Sequence, residues 1–384
     1  MHPDVMVHRD GKTRRDVLRA TGAAVATTGL AGMVSGSPGT VEVNVGYDAR
    51  SGRDAAVAAA DDVVREFNFD AVTVRVNENA VGGLRQRPDV RYVEANGRMR
   101  ALAQTTPWGI DRTDSEVAHA NGDTGAGADV AIIDTGIDSD HPDLVANLGA
   151  GKAFVSARGP YAEPWDDDND HGTHCAGTAD AVDNAEGVVG VSTEATLHAV
   201  KVLDKRGSGS FSDIAAGIEY TADQGWDVGS LSLGASSGSQ AVKDACTYAY
   251  GKGVLLVAAA GNDGPCTDCV GYPAAYSECI AVASSASDDS LSGFSSTGPE
   301  VELIAPGTDV YSTIPGGYDT FSGTSMACPH VSGAGAQLMA NGYTNDEARS
   351  RLKSTAEDIG LASDEQGSGL LDTAAALGYA SGDD

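Results

Sequence analysis

Apolar positions in this chain follow two different rhythms, with the change near Ala103. Upstream, Val41-Glu42-Val43-Asn44-Val45 alternates with period two and predicts a strand. Helical spacing from Arg53 to Phe67 follows, then a strand in "AVTVRV" at 71–76, a second helix near Ala80 to Arg87, and a strand in "VRYVEANGRM" from 90. The order strand, helix, strand, helix, strand over residues 39–102 predicts a small ferredoxin-like α+β unit. It contains no cluster of catalytic residue types, which marks it as an accessory.

Downstream, longer apolar runs alternate with helical patterns. "ADVAIIDTG" at 128–136, "TLHAVKVL" at 196–203, "VGSLSLG" at 228–234 and "VLLVAAAGN" at 254–262 read as strands. "HGTHCAGTADAV" at 171–182, "FSDIAAGIEYTADQG" at 211–225 and "SQAVKDACTYAYGKG" at 239–253 read as helices. Near-continuous apolar strands alternating with helices predict an α/β fold, a mostly parallel sheet covered on both faces. Such sheets bind ligands beyond the carboxyl ends of their strands.

Composition narrows the picture. A chain of 384 residues with 41% apolar content can bury a large core. Its formal net charge of -30 repels phosphate backbones, so nucleic-acid binding is not expected. Lysine is scarce: after Lys12 only Lys152, Lys201, Lys205, Lys243, Lys252 and Lys353 occur, a balance suited to a hypersaline habitat where salt screens the self-repulsion. Arg14-Arg15 followed by a small-residue apolar stretch from Ala20 to about Ser35 has the pattern of a Tat-type export signal over residues 1–36. No stretch offers the roughly 18 apolar residues of a membrane span, so a protein outside the cell and off the membrane is expected. Six cysteines in an exported chain permit disulfides.

Three polar groups stand where the sheet predicts a site. Asp134 closes the strand "VAIID", His171 opens the helix after an acidic loop, and Ser325 opens the helix after Gly323-Thr324. Taken singly these are a turn residue, a helix-terminal histidine and an N-cap. Together they supply a nucleophile, a base to take its proton and a carboxylate to orient the imidazole.

The segments "DTGID", "HGTHCAG" and "GTSMACPH" resemble the three signatures of the subtilisin-like serine proteases, in that family's order of Asp, His, Ser, and the wording and lengths look most like the haloarchaeal halolysins. The resemblance covers Ala103 to about Tyr379 and implies a three-layer catalytic domain over 103–384. It implies that Asp134 orients, His171 acts as base and acid, Ser325 attacks, and Asn262 in "AAAGN" donates to the oxyanion beside the Ser325 N–H. The implied activity is endopeptidase, with protein and peptide substrates lying extended between "GSGSF" (Ser208, Gly209, Phe211) and "SLG" (Ser232, Leu233, Gly234). Gly261 and Gly271 match pocket positions, and a bare residue 271 implies preference for large apolar side chains. Residues 39–102 then correspond to a propeptide that assists folding and inhibits the monomeric enzyme until cleaved after Leu102.

"VDNAEGV" at 182–188 resembles the family's calcium loop, with Asn184, the carbonyls of Val182, Glu186 and Val188, and Gln104 and Asp143 as ligands to a structural Ca2+. The run Asp166-Asp167-Asp168-Asn169-Asp170 reads either as a second cation site or as a solvated loop. Cys175 and Cys328, one turn after His171 and Ser325, read as packed thiols. Cys246 and Cys279 fall on a helix and a strand expected to be neighbours and read as a disulfide, while Cys266 and Cys269 are open between a bridge, a metal clip and free thiols. "GASSG" at 234–238 matches the hydrolase elbow Gly-x-Ser-x-Gly, but no Asp and His follow in the order that fold needs. A zinc hydrolase lacks its His-Glu-x-x-His.

Overall fold

The computed structural model describes residues 39–97, 104–159 and 161–382. The expected export signal and the expected cleavage point after Leu102 lie outside these residues. The chain divides into two compact units between Ala101 and Leu102.

In the first unit β1 (Thr40–Tyr47), α1 (Arg50–Ala58), β2 (Ala60–Phe67), β3 (Ala71–Asn77), α2 (Glu78–Arg85) and β4 (Val90–Ala95) follow one another. The four strands form an antiparallel sheet in the order β2-β3-β1-β4, the ferredoxin-like arrangement. Alternate valines, Val43 and Val45 on β1 and Val72, Val74 and Val76 on β3, bury against Ala56, Val81 and Leu84 of the helices. The expected helix from Arg53 to Phe67 is corrected here: it stops at Ala58, and Ala60–Phe67 is a strand. As an edge strand β2 is exposed along most of its length, so it carries the charges of a helix surface. Its state comes from pairing with β3 across a turn in which Asp70 takes the left-handed conformation, φ 58°.

The second unit is built on seven parallel strands: β5 (Asp129–Asp134), β6 (Lys152–Ala153), β7 (Thr196–Lys201), β8 (Val228–Leu231), β9 (Leu255–Ala259), β10 (Cys279–Ser285) and β11 (Val301–Pro306). Their order is β11-β10-β9-β8-β5-β7-β6, and a hairpin of β12 (Val310–Ile314) and β13 (Gly317–Phe321) lies apart. The helices are α3 (Trp108–Arg112), α4 (Ser115–Asn121), α5 (His171–Asp180), α6 (Phe211–Gln224), α7 (Gln240–Gly251), α8 (Thr324–Ala340), α9 (Asn345–Thr355), α10 (Ser363–Gln366) and α11 (Thr373–Leu377).

Strand alternation explains the three layers. On β5, Val130 and Ile132 enter the core shared with α5 and α8, while Ala131 and Ile133 enter the core shared with α6 and α7; on β9, Leu255 and Val257 part in the same way from Leu256 and Ala258. Each such Ile or Leu is essentially fully buried, which contributes about 1.5–3 kcal/mol per side chain. The expected α/β architecture is the one found.

Candidate active site

The carboxyl ends of three adjacent strands, in the order β9-β8-β5, lead to the residues singled out above. β5 ends in Asp134, β8 runs on into Ser232-Leu233-Gly234, and β9 into Gly261-Asn262. α5, which packs against α8, begins with His171, and α8 begins with Thr324-Ser325.

Asp134 is fully buried. Its Oδ1 accepts from the Thr135 N–H at 2.7 Å and lies 2.8 Å from His171 Nδ1. The two segments are locked beyond this contact, because the Gly172 N–H donates to Thr135 Oγ1 at 2.8 Å. A Cβ on Gly172 would stand 2.2 Å from the Gly136 carbonyl oxygen, so the approach requires glycine. The acidic run holds the same turn: Asp167 accepts from the N–H groups of Asn169, Asp170 and Thr173 and from Thr173 Oγ1. Burial opposes charge on the His171 ring, yet the Asp134 carboxylate, with Cys175 adding to it, holds the His171 pKa well above the usual imidazole value.

Ser325 sits in the first turn of α8, where helix N–H groups lack intrahelical partners. The Thr324 N–H is taken by Asn262 Oδ1 at 2.9 Å and the Met326 N–H by the Gly323 carbonyl at 3.0 Å. Among the described residues the Ser325 N–H has no acceptor, and the helix dipole lies behind it. Asn262 Oδ1 also accepts from Thr324 Oγ1 at 3.0 Å, which fixes the amide with Nδ2 outward. Nδ2 lies 3.5 Å from where a Cβ on Gly323 would stand. The Ser325 hydroxyl donates to the Ser232 carbonyl oxygen at 3.2 Å and makes no hydrogen bond to His171 in this arrangement.

Pro329 lies inside α8 and offers no N–H to the Ser325 carbonyl four residues back. Two side chains from other elements take that role: Ser232 Oγ donates at 2.8 Å and Cys175 Sγ at 3.4 Å. Cys175 and Cys328 are buried, and burial pushes the Cys175 thiol up and the Cys328 thiol up to about 11.

A cleft of about 400 Å³ opens beside His171. Ser208, Gly209, Phe211, Ser232, Leu233 and Gly234 line it, and Leu203, Ile214 and Val242 add to its apolar lining. Gly261 and Gly271 do not line this cleft. A Cβ on Gly271 would stand 3.2 Å from the Ala235 carbonyl oxygen and 3.6 Å from that of Ala260, so the residue is wedged between two backbone segments.

Residues 125–371 match the subtilase family. The chain belongs to that family. Among its relatives, subtilisin amylosacchariticus from Bacillus subtilis subsp. amylosacchariticus is 43% identical over 320 residues, covering 82% of each chain. The alkaline protease of Shouchella clausii is 40% identical over 82% of this chain and 81% of its own, and the subtilisin of Bacillus pumilus is 44% identical over 71% of this chain and 99% of its own. This subtilase is a serine endopeptidase with the expected three-layer α/β domain.

The loop of the subtilase expected to bind calcium brings its named residues together. Gln104 Nε2 donates to the carbonyl oxygens of Val182 at 2.8 Å and Val188 at 3.1 Å, so both carbonyls converge on one point. Buried Asp143 accepts from Asn184 Nδ2 at 3.0 Å and from the Val188 N–H at 2.9 Å, while Asn184 Oδ1 accepts from the Glu186 N–H at 2.6 Å. Two side-chain amides thus turn their NH2 groups toward carbonyl and carboxylate oxygens. Reversing each amide would present its oxygen instead, giving an all-oxygen donor set that fits a hard cation.

Two readings of the sequence change. The acidic run is not the solvated loop of one reading: Asp166 and Asp167 are buried and bonded to backbone N–H groups, and Asp168 pairs with Lys201. Cys246 and Cys279 are neighbours but not bonded; their sulfurs are 4.0 Å apart and both are free, buried thiols. The disulfide joins Cys266 and Cys269, three residues apart in one loop where the chain itself holds the sulfurs together.

Sequence reasoning missed Thr135, Lys201 and the side chain of Ser232. Lys201 carried a visible signal, a lysine inside the apolar run "TLHAVKVL" of a lysine-poor chain. Ser232 and Thr135 had none, since a short hydroxyl beside a strand end is common.

Proposed function

We propose that this subtilase is an exported, salt-adapted endopeptidase that cuts peptide bonds through an acyl-enzyme on Ser325. The observation that carries the reading is the meeting at the carboxyl end of the sheet of the Asp134–His171 hydrogen bond, 2.8 Å, with Ser325 in the first turn of α8. Rotation about the Ser325 Cα–Cβ bond takes its hydroxyl from the Ser232 carbonyl to His171 Nε2. As Oγ bonds to the scissile carbonyl carbon its proton passes to Nε2, and Asp134 steadies the resulting imidazolium. The oxyanion receives the free N–H of Ser325 and Asn262 Nδ2, a kind of donor worth on the order of 100- to 1,000-fold in turnover. His171 then protonates the departing amine, and water releases the acyl group by the same steps reversed.

Substrate lies extended between the Ser208–Gly209 and Ser232–Gly234 edges, with an apolar side chain against Leu203, Phe211 and Leu233. The apolar walls of the cleft support a preference for apolar side chains, and the bare backbone at Gly261 and Gly271 lines the pocket that takes the large apolar residue. Gln104, Asp143, Asn184 and the carbonyls of Val182, Glu186 and Val188 would hold a calcium ion, which when bound ties the segment after residue 103 to the domain. Residues 39–102 serve as propeptide and intramolecular inhibitor of a monomeric enzyme. The Arg14-Arg15 pattern supports Tat export, and no helix of the described residues is long and apolar enough to cross a membrane.

Casein hydrolysis at high salt, with calcium held constant, tests the reading. Ser325→Ala is expected to lose several orders of magnitude in turnover, and activity surviving in that variant overturns it.

A further inference from the structure

Lys201 ends β7 with a side chain that is fully buried, its partner Asp168 being 3% exposed. The ammonium donates to Asp168 Oδ1 at 2.6 Å and to the Thr135 carbonyl oxygen. Thr135 is the residue after Asp134, and its hydroxyl oxygen is bonded to the N–H of Gly172, the residue after His171. Asp168 belongs to the turn that leads into His171, and its second oxygen accepts from the Arg158 N–H at 2.9 Å. Lys201 therefore closes a ring through both segments: from the Asp134 side at Thr135, across the ammonium to Asp168, through the turn to His171-Gly172, and back to Thr135.

Stability gives no reason for such a group. A buried ion pair is commonly replaced by apolar residues of similar volume at no loss, because desolvation offsets the attraction. What the ammonium does supply is direction, with donors on one rigid point aimed at two loops. We propose that Lys201 is a positioning residue for the Asp134–His171 pair, holding the Thr135 carbonyl and the Asp168 turn at the separation that the 2.8 Å hydrogen bond requires. The inference rests on the triad proposed above.

Lys201→Met alone would strand the Asp168 carboxylate and could unfold the domain, so the test is the double variant Lys201→Met/Asp168→Asn in the full chain. It removes both charges together and is expected to keep its melting temperature close to wild type. With a chromogenic peptide anilide carrying an apolar residue before the cleaved bond, kcat is expected to fall on the order of 10- to 100-fold, the scale of a misplaced catalytic group. KM is expected to stay within about twofold, since binding is not touched. In proton NMR the far-downfield His171 Nδ1–H resonance should shift or broaden. Lys201→Arg, which keeps the cation and its donors, should stay nearer the wild-type kcat than the double variant does. A double variant with wild-type kcat overturns the proposal, as does a fall in kcat that follows lost stability while the resonance stays in place. Ser325→Ala assayed in parallel separates the two readings: hydrolysis surviving there sinks the triad itself, whatever Lys201 does.

Discussion

His171 must be neutral to accept a proton, and the Asp134 carboxylate makes neutrality harder to reach. With its pKa held well above the usual imidazole value, the ring is protonated and idle at mildly acidic pH and becomes a base as pH rises through that pKa. The acidic limb of kcat/KM is therefore expected on the alkaline side of about 6.5. In Asp134→Asn it should move to lower pH while the plateau falls by up to about 10⁴-fold, as expected when the imidazole loses its orienting carboxylate. A pH series on both proteins checks this, and an unmoved limb would mean that Asp134 does not set the charge of His171. Asp134, His171 and Ser325 were legible because each stands at the end or start of an element, which the apolar rhythm marks, whereas Asn262 was reached only through the resemblance of its segment to the family's. The contacts of Thr135 and of the Ser232 side chain were not legible, because they run between strands and helices distant in sequence.

The elements meet at distances that side chains cannot share. Gly172 allows α5 to begin against the Gly136 carbonyl, where an added methyl would stand 2.2 Å away. Gly172→Ala is expected to push the start of α5 off the turn after β5 and to lengthen the His171–Asp134 contact. The cost should be on the order of 100-fold in kcat with most of the fold retained, read by activity beside circular dichroism. In the second unit β6, β11 and the β12–β13 hairpin went unread, whereas β5, β7, β8, β9 and α5 were readable because their residues are almost uniformly buried. β2 was not, since an edge strand with little buried surface carries no alternation and is specified by its partner β3. The same limit explains the cysteines: helix and strand adjacency placed Cys246 beside Cys279, yet adjacency leaves their sulfurs 4.0 Å apart and unbonded.

Two properties belong to the molecule as a whole. With 55 acidic and 25 basic residues, mutual repulsion opposes the compact state until salt screens it. The melting temperature is expected to climb between about 0.1 and 1 M KCl, as the Debye length shrinks from roughly 10 to 3 Å, and to level off above that. A flat profile would reduce the acidic surface to a matter of solubility. Chelating calcium should lower the melting temperature at constant ionic strength, with Asp143→Asn abolishing the difference; an equal response in that variant would move the ion elsewhere. The division into two units was legible from the shift in rhythm near Ala103. One consequence of the layout concerns time. Asp134 and Ser325 stand some 190 residues apart in the chain and meet only across the assembled carboxyl ends of strands β9, β8 and β5. Contacts of such long range close late in folding, so a nascent or half-made chain holds no working scissors, and digestion waits until the molecule that carries it is complete.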